Sequence, residues 1–544
     1  MTHYVPRRRA AVAMIVGTVL IGSLALSSCA QTIGTVTFDS AAPNPTVSPN
    51  PTVSPSATAT VDPSATPTVE PSALPGTGDL ASFYSQTLAW KACGGEFQCS
   101  VLNVPIDYAV PSSGSTKVSV IRLRSTDPSQ RVGSLVLNPG GPGGSGVDYV
   151  RAARAVIDDA VRQKFTIVGF DPRGVASSDP IACIDDKQTD TFVAADGTPD
   201  TPAEIGLVEN LAKQFADSCK ANSPKLYGHV DTRSVARDMD VLRAALGDEK
   251  LNYFGASYGT YLGATYADLF PSRVGRMVLD GAIDPTLSNV ELTRTQGQGF
   301  EIAFDRFAQD CSKQPDCPLP TGKQRAIDAM VKFFAKLDRT PLPTNDGQRP
   351  LTEALAENAV LSYLYFPPSD WDRLRAGLAA AFAGDGSELL GMLDERIARD
   401  GSGHYVDNST AALYAVNALD RPDRPTTAQW QVLADQWAVT EPIFGRFFAW
   451  GSLPFSYWGV PATNTPHAIS APGSGPILVV GTTYDPATPY PWAQALAKQL
   501  SRGVLLTRVG DGHTAYGMGS ACIDQGIDQY LVTGVTPPVD TVCR

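Results

Sequence analysis

Short runs of aliphatic and β-branched residues alternate along the chain with segments whose apolar positions have helical spacing. The runs predict strands at residues 118–122, 133–138, 166–170, 251–254, 277–280, 477–480 and 504–509. Between two of these runs, residues 234–246 place Val235, Met239 and Leu242 on one side, which predicts a helix. This alternation predicts an α/β fold in which helices cover both faces of a mostly parallel sheet.

The alternation breaks over residues 292–461, where helical segments follow one another without clear strands. Because a strand is predicted again at 477–480, this stretch is interpreted as a helical cap inserted into the core. The predicted core therefore has two parts, residues 79–291 and 462–544, with the cap between them.

The first 28 residues have the features of an export signal. Three arginines at 7–9 precede an uncharged apolar run over 10–26, and small residues then lead to Cys29. The sequence before Cys29 resembles the bacterial lipobox, which predicts that Cys29 becomes the lipid-modified first residue of the mature chain. An uncleaved anchor is the alternative, because the run is at the lower limit of membrane-spanning length. Either form would hold the protein at the membrane, outside the cytoplasm.

Residues 29–78 predict a disordered linker. They are rich in Pro, Thr, Ser, Ala and Val, and they repeat the sequence NPTVSP at 44–49 and 50–55. Such a segment has too little apolar surface to fold and favours extended polyproline conformations. We therefore expect a spacer between the membrane and the globular part.

Composition excludes several classes of function. The 544 residues include 43 Lys+Arg and 55 Asp+Glu, a formal net charge of −12. This balance argues against a nucleic-acid partner, because phosphate binding requires concentrated basic residues. The chain has only five histidines and no Cys-x-x-Cys, so zinc is a poor expectation. We expect neither a metal nor a cofactor.

Eight cysteines follow Cys29, an even number that suits structural disulfides in an oxidising compartment. Eight cysteines can pair in about 105 ways, but these fall along the chain as four close neighbours. The simplest prediction is local pairing: Cys93–Cys99, Cys183–Cys219, Cys311–Cys317 and Cys522–Cys543.

The strongest chemical signal is the sequence GASYG at 255–259, between a predicted strand and a helical pattern at 261–269. Its two glycines permit a strained strand-to-helix turn that would expose Ser257 at the edge of the sheet, as in the nucleophile elbow of serine hydrolases. The pattern alone is weak, because Gly and Ser are common in this chain. Its position between a strand and a helix favours a catalytic serine over an ordinary glycine turn.

A second glycine-rich loop, NPGGPGGSG at 138–146, follows the strand predicted at 133–138. Acyl transfer requires two N–H donors for the oxyanion, and the loop after this strand normally provides one of them. Pro142 has no N–H, so Gly141 is the candidate, paired with the N–H of Tyr258. A phosphate-binding loop is the alternative, but no GK[ST] follows and an exported protein is away from nucleotides.

Asp485 and His513 follow the last two predicted strands, so the order Ser…Asp…His is that of the α/β-hydrolases. His513 would accept the proton of Ser257, and Asp485 would fix the imidazole tautomer and stabilise its charged form. A purely structural role for His513 is the alternative.

Other residues near these strand ends could serve the same chemistry. Asp280 and Asp284 end an earlier strand and are second choices for the acid, whereas Asp511 is too close to the histidine in sequence to face it well. Thr488 before Pro489 predicts a helix N-cap, which is a structural role.

These motifs resemble those of the tripeptidyl aminopeptidase family, which are exported actinobacterial serine hydrolases related to proline iminopeptidase. The resemblance extends from about residue 80 to the end and rests on segments 138–143, 171–174, 255–259, 481–489 and 511–513. It implies an α/β-hydrolase core with a helical cap, and the release of short peptides, often tripeptides, from free amino termini.

The resemblance also implies an acid near the cap that binds the substrate amine, and Asp284, Glu291 and Glu301 lie where the core chain enters the cap. The predicted function is therefore that of an extracytoplasmic serine exopeptidase acting on peptides. A carboxylesterase or lipase is the alternative, because the same catalytic residues cleave amides and esters. A non-catalytic binding lipoprotein would not need Ser257, Asp485 and His513 together.

Overall fold

A computed structural model describes residues 78–544, in which ten strands form one mixed sheet. In chain order the strands are β1 (Lys91–Ala92), β2 (Phe97–Pro105), β3 (Ser115–Leu123), β4 (Gly133–Asn138), β5 (Phe165–Phe170), β6 (Leu251–Ala256), β7 (Val274–Asp280), β8 (Ile477–Tyr484), β9 (Gly503–Asp511) and β10 (Thr541–Cys543). The spatial order is β1-β2-β3-β5-β4-β6-β7-β8-β9-β10. β1 pairs antiparallel with β2, β2 pairs antiparallel with β3, and β3 pairs antiparallel with β5. All other strand pairs are parallel.

All seven strands predicted from the sequence form, and the mostly parallel sheet confirms the α/β fold. The prediction missed β1, β2 and β10. β2 contains Cys99, Ser100 and Asn103 among its apolar residues, so it lacks the continuous apolar run of the central strands. β10 has three residues, too few for a periodic signal.

The helices alternate with the parallel strands and then follow one another between β7 and β8. In chain order the described α-helices are α1 (Ala81–Tyr84), α2 (Gly146–Arg151), α3 (Ala153–Val156), α4 (Asp159–Lys164), α5 (Asp186–Val193), α6 (Pro202–Asn222), α7 (Thr232–Ala245), α8 (Tyr258–Leu269), α9 (Asn289–Cys311), α10 (Lys323–Arg339), α11 (Glu353–Ser362), α12 (Ser369–Phe382), α13 (Ser387–Arg396), α14 (Ser409–Asp420), α15 (Thr427–Thr440), α16 (Gly445–Gly451), α17 (Leu453–Ser456), α18 (Tyr490–Gln499) and α19 (Ala521–Thr533). Short 3-10 turns lie at Gly78–Leu80, Pro111–Ser113, Pro128–Gln130 and Pro271–Arg273.

Helices cover both faces of the sheet because alternate residues of each strand point to opposite sides. In β8, Leu478 and Val480 belong to the hydrophobic core on one face, which also contains residues of α2 and α19. Ile477 and Val479 of the same strand belong to the core on the other face, which also contains residues of α7, α8 and α18. The central strands are thus buried on both sides, which explains their continuous apolar sequences.

The insertion between β7 and β8 contains α9 to α17, and this confirms the inserted helical cap. Much of the cap packs around a hydrophobic core of its own, with Phe304, Phe307, Leu355 and Leu374 at its centre. α9 begins at Asn289 and β8 begins at Ile477. The sequence-based domain limits at 292 and 461 stay predictions.

The four disulfides predicted from cysteine spacing are present: Cys93–Cys99, Cys183–Cys219, Cys311–Cys317 and Cys522–Cys543. The predicted signal at 1–28, Cys29 and nearly all of the linker at 29–78 lie outside the described residues, so these assignments stay predictions. Between residues 78 and 544, no helix combines the length and the apolar character needed to cross a membrane.

Candidate active site

Ser257 occupies the turn between β6 and α8, at the C-terminal edge of the parallel strands. Its backbone has φ 55° and ψ −126°, a conformation that costs a residue other than glycine about 1–3 kcal/mol. The Ser257 N–H donates to the carbonyl oxygen of Asp280, the last residue of β7, at 2.8 Å. α8 begins at the next residue, Tyr258. The turn therefore has the strained strand-to-helix geometry of a nucleophile elbow.

The two glycines of this turn are required by the close approach of neighbouring backbone. A Cβ on Gly255 would lie 2.3 Å from the carbonyl oxygen of Gly259. A Cβ on Gly259 would lie 2.8 Å from Asn138 Oδ1, at the end of β4. Any side chain at either position would push the turn away from its neighbours, because these contacts are well inside van der Waals distance.

The glycine-rich loop after β4 lies directly against the Ser257 turn. A Cβ on Gly140, whose φ is 96°, would lie 2.8 Å from Ser257 Cβ and 3.0 Å from the Tyr258 nitrogen. The Gly140 N–H is used locally, since it donates to Asn138 Oδ1 at 2.9 Å. In the described part of the chain, the N–H groups of Gly141 and Tyr258 have no acceptor. Both N–H groups are thus free to bind a ligand where loop and turn meet.

Asp171, which follows β5, holds the far end of this loop. Its Oδ1 accepts from Ser145 Oγ at 2.6 Å and from the Val147 N–H at 3.1 Å. Its Oδ2 accepts from the Ser177 N–H at 3.1 Å. Burial raises the pKa of the Asp171 carboxyl, and these hydrogen bonds act in the opposite direction. The residue positions the loop, a role that the sequence motif alone did not reveal.

Asp485 and His513 meet beyond the ends of β8 and β9. Nδ1 of His513 lies 2.9 Å from Oδ1 and 3.0 Å from Oδ2 of Asp485, and both residues are buried. The carboxylate also accepts from the N–H groups of Ala487 and Thr514, each at 3.0 Å. A carboxylate at this position favours the tautomer protonated on Nδ1, so Nε2 is left as the proton acceptor.

Thr488 corrects one prediction from the sequence. α18 begins at Tyr490, and its N-cap position is Pro489, so the Thr488 side chain does not cap the helix. The Thr488 hydroxyl instead donates to Asp485 Oδ2 at 2.9 Å and lies 3.4 Å from His513 Nδ1. The threonine is therefore part of the hydrogen-bond network around the histidine, because the loop after β8 folds back over Asp485.

The other carboxylates near the site are engaged elsewhere. Asp280 accepts from two backbone N–H groups shortly after His513, and burial raises its pKa to about 6. Asp511 forms two hydrogen bonds with Arg306, at 2.6 and 2.8 Å. Of these candidates, Asp485 is the acid that contacts the imidazole.

Ser257 and His513 lie at the same point of the sheet edge. The carbonyl oxygen of Asp280 binds the Ser257 N–H, and a Cβ on the following residue, Gly281, would lie 3.4 Å from His513 Cε1. Two consecutive residues at the end of β7 therefore meet the site: Asp280 binds the serine turn, and Gly281 lies beside the imidazole. The structure brings the three residues predicted for catalysis to one edge of the sheet.

The three acids predicted for the substrate amine have structural partners. Asp284 accepts from Gln499 Nε2 at 2.8 Å. Glu291 is exposed and forms a capping box with Ser288 at the start of α9. Glu301 accepts from the two backbone N–H groups just before α16, and burial raises its pKa to about 7. Their role toward a substrate stays a prediction.

A cavity of about 360 Å³ lies between α5, α6, α9, α14 and the α16–α17 segment. Its walls are mainly apolar and include Phe192, Leu413, Tyr414 and Phe448, and Asp196 contributes a carboxylate. Asp284, Glu291 and Glu301 are not among the lining residues that the structure describes. No sequence pattern marks this cavity, because its walls come from elements far apart in the chain.

Asp196 also belongs to a cluster of three carboxylates. Asp196, Asp338 and Glu353 each place an oxygen within 4.8 Å of the others. Among the described residues, this is the group close enough to share a cation. The sequence predicts no metal, and the spacing of these acids gives no signal because only the tertiary fold brings them together.

Comparisons with known proteins agree with this geometry. The α/β hydrolase fold family matches residues 133–517. Serine protease Hip1 of Mycobacterium tuberculosis is 39% identical over 82% of this chain and 87% of its own. A protein named carboxylesterase B from the same species is 38% identical over 82% of this chain and 86% of its own. Tripeptidyl aminopeptidase of Streptomyces coelicolor is 31% identical over 84% of this chain and 85% of its own. The chain therefore belongs to the α/β-hydrolase family, among the actinobacterial serine hydrolases that include tripeptidyl aminopeptidase.

Proposed function

We propose that the protein is an extracytoplasmic serine exopeptidase that releases short peptides, chiefly tripeptides, from free amino termini. The observation that carries the proposal is the contact between buried Asp485 and Nδ1 of His513 beside the strained turn at Ser257. In a serine hydrolase such a set supplies the acid, the base and the nucleophile. The relatives named serine protease and tripeptidyl aminopeptidase support peptides as the substrates.

In the proposed mechanism, Ser257 Oγ attacks the carbonyl carbon of the scissile peptide bond while His513 Nε2 takes the hydroxyl proton. Asp485 stabilises the resulting imidazolium through Nδ1. The N–H groups of Gly141 and Tyr258 bind the oxyanion, and one such donor is worth about 3 kcal/mol in the transition state. His513 then gives its proton to the leaving amine, and water hydrolyses the acyl-enzyme by the same route.

An esterase is the second candidate, and one specific observation favours it. The relative named carboxylesterase B is almost as similar to this chain as the relative named serine protease. The catalytic residues cleave both amides and esters, so the rest of the binding pocket must determine which substrate is preferred. A peptidase must also bind several residues of its substrate, for which the cavity between α5, α6 and the cap offers space.

Replacing the nucleophile tests the mechanism. Ser257→Ala should lower kcat by several orders of magnitude, about 10⁴-fold or more, with an unchanged melting temperature. Ser82→Ala, at an exposed serine near the start of the described chain, is the matched control and should retain full activity. Residual Ser257→Ala activity within about tenfold of wild type would place the nucleophile elsewhere.

A panel of substrates tests the exopeptidase assignment. We expect a free tripeptide anilide to be cleaved about 100-fold more efficiently than its acetylated form, since a buried amine site loses its charged partner on acetylation. Single-residue anilides and short acyl esters complete the panel. Equal kcat/KM for the free and acetylated tripeptides would reject the aminopeptidase and favour the esterase or an endopeptidase.

The proposed location is the outer side of the membrane, through a lipid on Cys29. The export signal and lipobox-like sequence support this proposal. Cys29→Ala should release the protein from the membrane fraction and abolish labelling by a fatty-acid probe. Membrane retention that does not change would indicate an uncleaved anchor instead.

A further inference from the structure

We propose that Asp420, at the end of helix α14 in the cap, is a positioning residue that acts through Thr232 on the oxyanion donor Tyr258. The inference rests on the proposed serine-hydrolase mechanism, in which the N–H groups of Gly141 and Tyr258 bind the oxyanion. Such positioning would be required for a peptide and for an ester, because both reactions pass through the same oxyanion.

Three side chains form a continuous set of hydrogen bonds from the cap to the serine turn. Asp420, the last residue of α14, accepts from the N–H of Thr232 at 2.8 Å and from its hydroxyl at 2.5 Å. The Thr232 hydroxyl also lies 2.5 Å from the hydroxyl of Tyr258. Thr232 is the first residue of α7 and Tyr258 is the first residue of α8, so the hydrogen bonds join three helices.

The direction of these hydrogen bonds follows from the number of protons. A threonine hydroxyl has one proton, which Thr232 donates to the Asp420 carboxylate, so the Tyr258 hydroxyl is the donor to Thr232 Oγ1. Asp420 and Thr232 are 0% exposed and Tyr258 is 5% exposed. Because solvent does not reach these groups, a lost hydrogen bond leaves a buried polar atom unpaired, which is unfavourable. The Tyr258 hydroxyl is therefore firmly held.

Holding the Tyr258 side chain restricts the backbone that carries the oxyanion donor. Tyr258 follows Ser257, whose φ of 55° persists only where the surroundings hold it. The Tyr258 N–H lies in the first turn of α8, where backbone donors have no acceptor within the helix. Gly259 follows, and a glycine would let an unanchored turn relax. The bond between the Tyr258 hydroxyl and Thr232 therefore helps to keep the Tyr258 N–H directed at the oxyanion.

The start of α14 contacts the loop that carries the other donor. A Cβ on Gly143, two residues after Gly141, would lie 2.9 Å from the carbonyl oxygen of Ser409 and 3.0 Å from Ala412 Cβ. Ser409 is the first residue of α14, and Ala412 lies in the next turn. Helix α14 therefore contacts the glycine-rich loop near one end and, through Asp420 at the other end, the residue that follows Ser257.

Helix α14 is also fixed to the core at its start. Asn408, just before the helix, donates from Nδ2 to the carbonyl oxygens of Gly174 and Ile181 at 2.8 and 3.0 Å. Its Oδ1 accepts from the Ala176 N–H at 3.0 Å. A helix of 12 residues that is held at both ends is a rigid connection about 18 Å long. It suits two donors that must face one oxygen atom.

Thr232→Val tests the connection, because it removes the hydroxyl and nearly keeps the volume of the side chain. With a short acyl ester, we expect kcat to fall about 30-fold and KM to stay within about twofold, since a misplaced donor affects the transition state and not substrate binding. Thr232→Ser should recover most of the activity. Thr265→Val removes another buried hydroxyl, which donates to the Tyr261 carbonyl oxygen within α8, and should keep the wild-type kcat. A loss confined to KM, or equal kcat for Thr232→Val and Thr265→Val, would overturn the inference.

Two substitutions of Asp420 separate its hydrogen bonds from its charge. In Asp420→Asn the amide oxygen accepts from the Thr232 N–H and the amide nitrogen donates to the Thr232 hydroxyl, which then donates to Tyr258. This variant should stay within about threefold of the wild-type kcat. Asp420→Ala removes both contacts and should lose about 30-fold. Equal losses in the two variants, or a wild-type kcat for Asp420→Ala, would overturn the role of Asp420.

Tyr258→Phe tests the same hydrogen bond without altering Thr232 or Asp420, so it also serves if Thr232→Val does not fold. We expect this variant to lower kcat with little change in KM. Thr232→Val/Tyr258→Phe should then lose no more than about twofold beyond Thr232→Val alone, since both substitutions remove one shared contact. Losses that multiply in the double variant, or a wild-type kcat for Tyr258→Phe, would show that the contact does not position the donor.

Inhibition by a short alkyl trifluoromethyl ketone separates this inference from the proposed function. Ser257 Oγ adds to the ketone carbon while His513 takes the hydroxyl proton, and the former carbonyl oxygen becomes the oxyanion of a hemiketal. We expect Thr232→Val to bind the ketone about 30-fold more weakly than wild type, and Thr265→Val to bind it equally well. Equal inhibition of wild type and Thr232→Val would overturn the positioning role and leave the serine mechanism intact. A wild-type protein that the ketone does not inhibit would overturn the mechanism and with it the inference.

Discussion

The backbone N–H of His513 donates to the carbonyl oxygen of Tyr365 at 2.8 Å, and the Tyr365 ring meets the imidazole edge-on with a centroid distance of 5.4 Å. Tyr365 belongs to the cap, between α11 and α12, whereas His513 follows the core strand β9. The imidazole is therefore held by the core through Asp485 and by the cap through Tyr365. A change in the cap can reach the catalytic histidine without altering any residue that performs chemistry.

Truncating Tyr365 tests this connection. Tyr365→Ala should lower kcat for a small acyl ester about tenfold, since one aromatic contact is worth about 0.5–1.5 kcal/mol beyond burial. Tyr365→Phe keeps the ring and should remain within about twofold of wild type. Phe382→Ala, which removes an aromatic ring packed on Phe333 elsewhere in the cap, is the matched control. A kcat for Tyr365→Ala that matches that of Phe382→Ala would contradict a specific effect on His513.

Thr488 provides a test of the network around the acid. Thr488→Val removes the hydroxyl that donates to Asp485 Oδ2 while keeping the volume of the side chain. We expect kcat to fall about tenfold, because one hydrogen bond to a charged group is worth about 1.5 kcal/mol or more. Thr488→Ser restores the donor and should restore most of the activity. An unchanged kcat for Thr488→Val would show that Asp485 is held sufficiently by backbone N–H groups.

Features that depend on local sequence were predictable. The buried parallel strands are continuous apolar runs, and the Ser257 turn is marked by glycines that a close backbone contact requires. The disulfides join cysteines that are neighbours along the chain. In each case the residues that determine the structure lie within one or two neighbouring elements, so the sequence pattern of those elements is enough to predict it.

Features that depend on tertiary contacts were not predictable. Thr488 has the sequence context of an N-cap, yet the path of the loop decides that its hydroxyl faces Asp485. Asp196 lies between α5 and α6, whereas Asp338 and Glu353 lie in the cap, so only the tertiary fold places the three together. This carboxylate cluster therefore carries no sequence motif.

The disulfides should differ in their effect on stability. Cys183–Cys219 closes a separation of 36 residues and Cys311–Cys317 a separation of 6. In the chain-entropy account, the longer loop makes the first bond about 1.6 kcal/mol more stabilising. Replacing each pair by alanine and measuring the free energy of unfolding in urea would show this difference. Equal losses in the two variants would indicate that native-state packing, not loop entropy, decides the contribution.

Glu357 gives a prediction about pH and stability. Burial, reinforced by repulsion from Glu353 and Asp196, raises the pKa of the Glu357 carboxyl well above 4.5, its ordinary value. Below about pH 4.5 the carboxyl is protonated in the folded and unfolded states, so it causes no pH-dependent difference. As the pH rises above that value, the unfolded chain releases the proton while the folded chain retains it, and unfolding becomes more favourable.

Glu357→Gln removes this titration and keeps a side chain of nearly the same shape. We expect the substitution to raise the melting temperature at pH 8, on the order of 2 °C, and to leave it unchanged at pH 4.5. Glu249→Gln, at an exposed glutamate just before β6, is the matched control and should have the same effect at both pH values. A melting temperature that falls at pH 8 would contradict a Glu357 carboxyl that stays protonated in the folded protein.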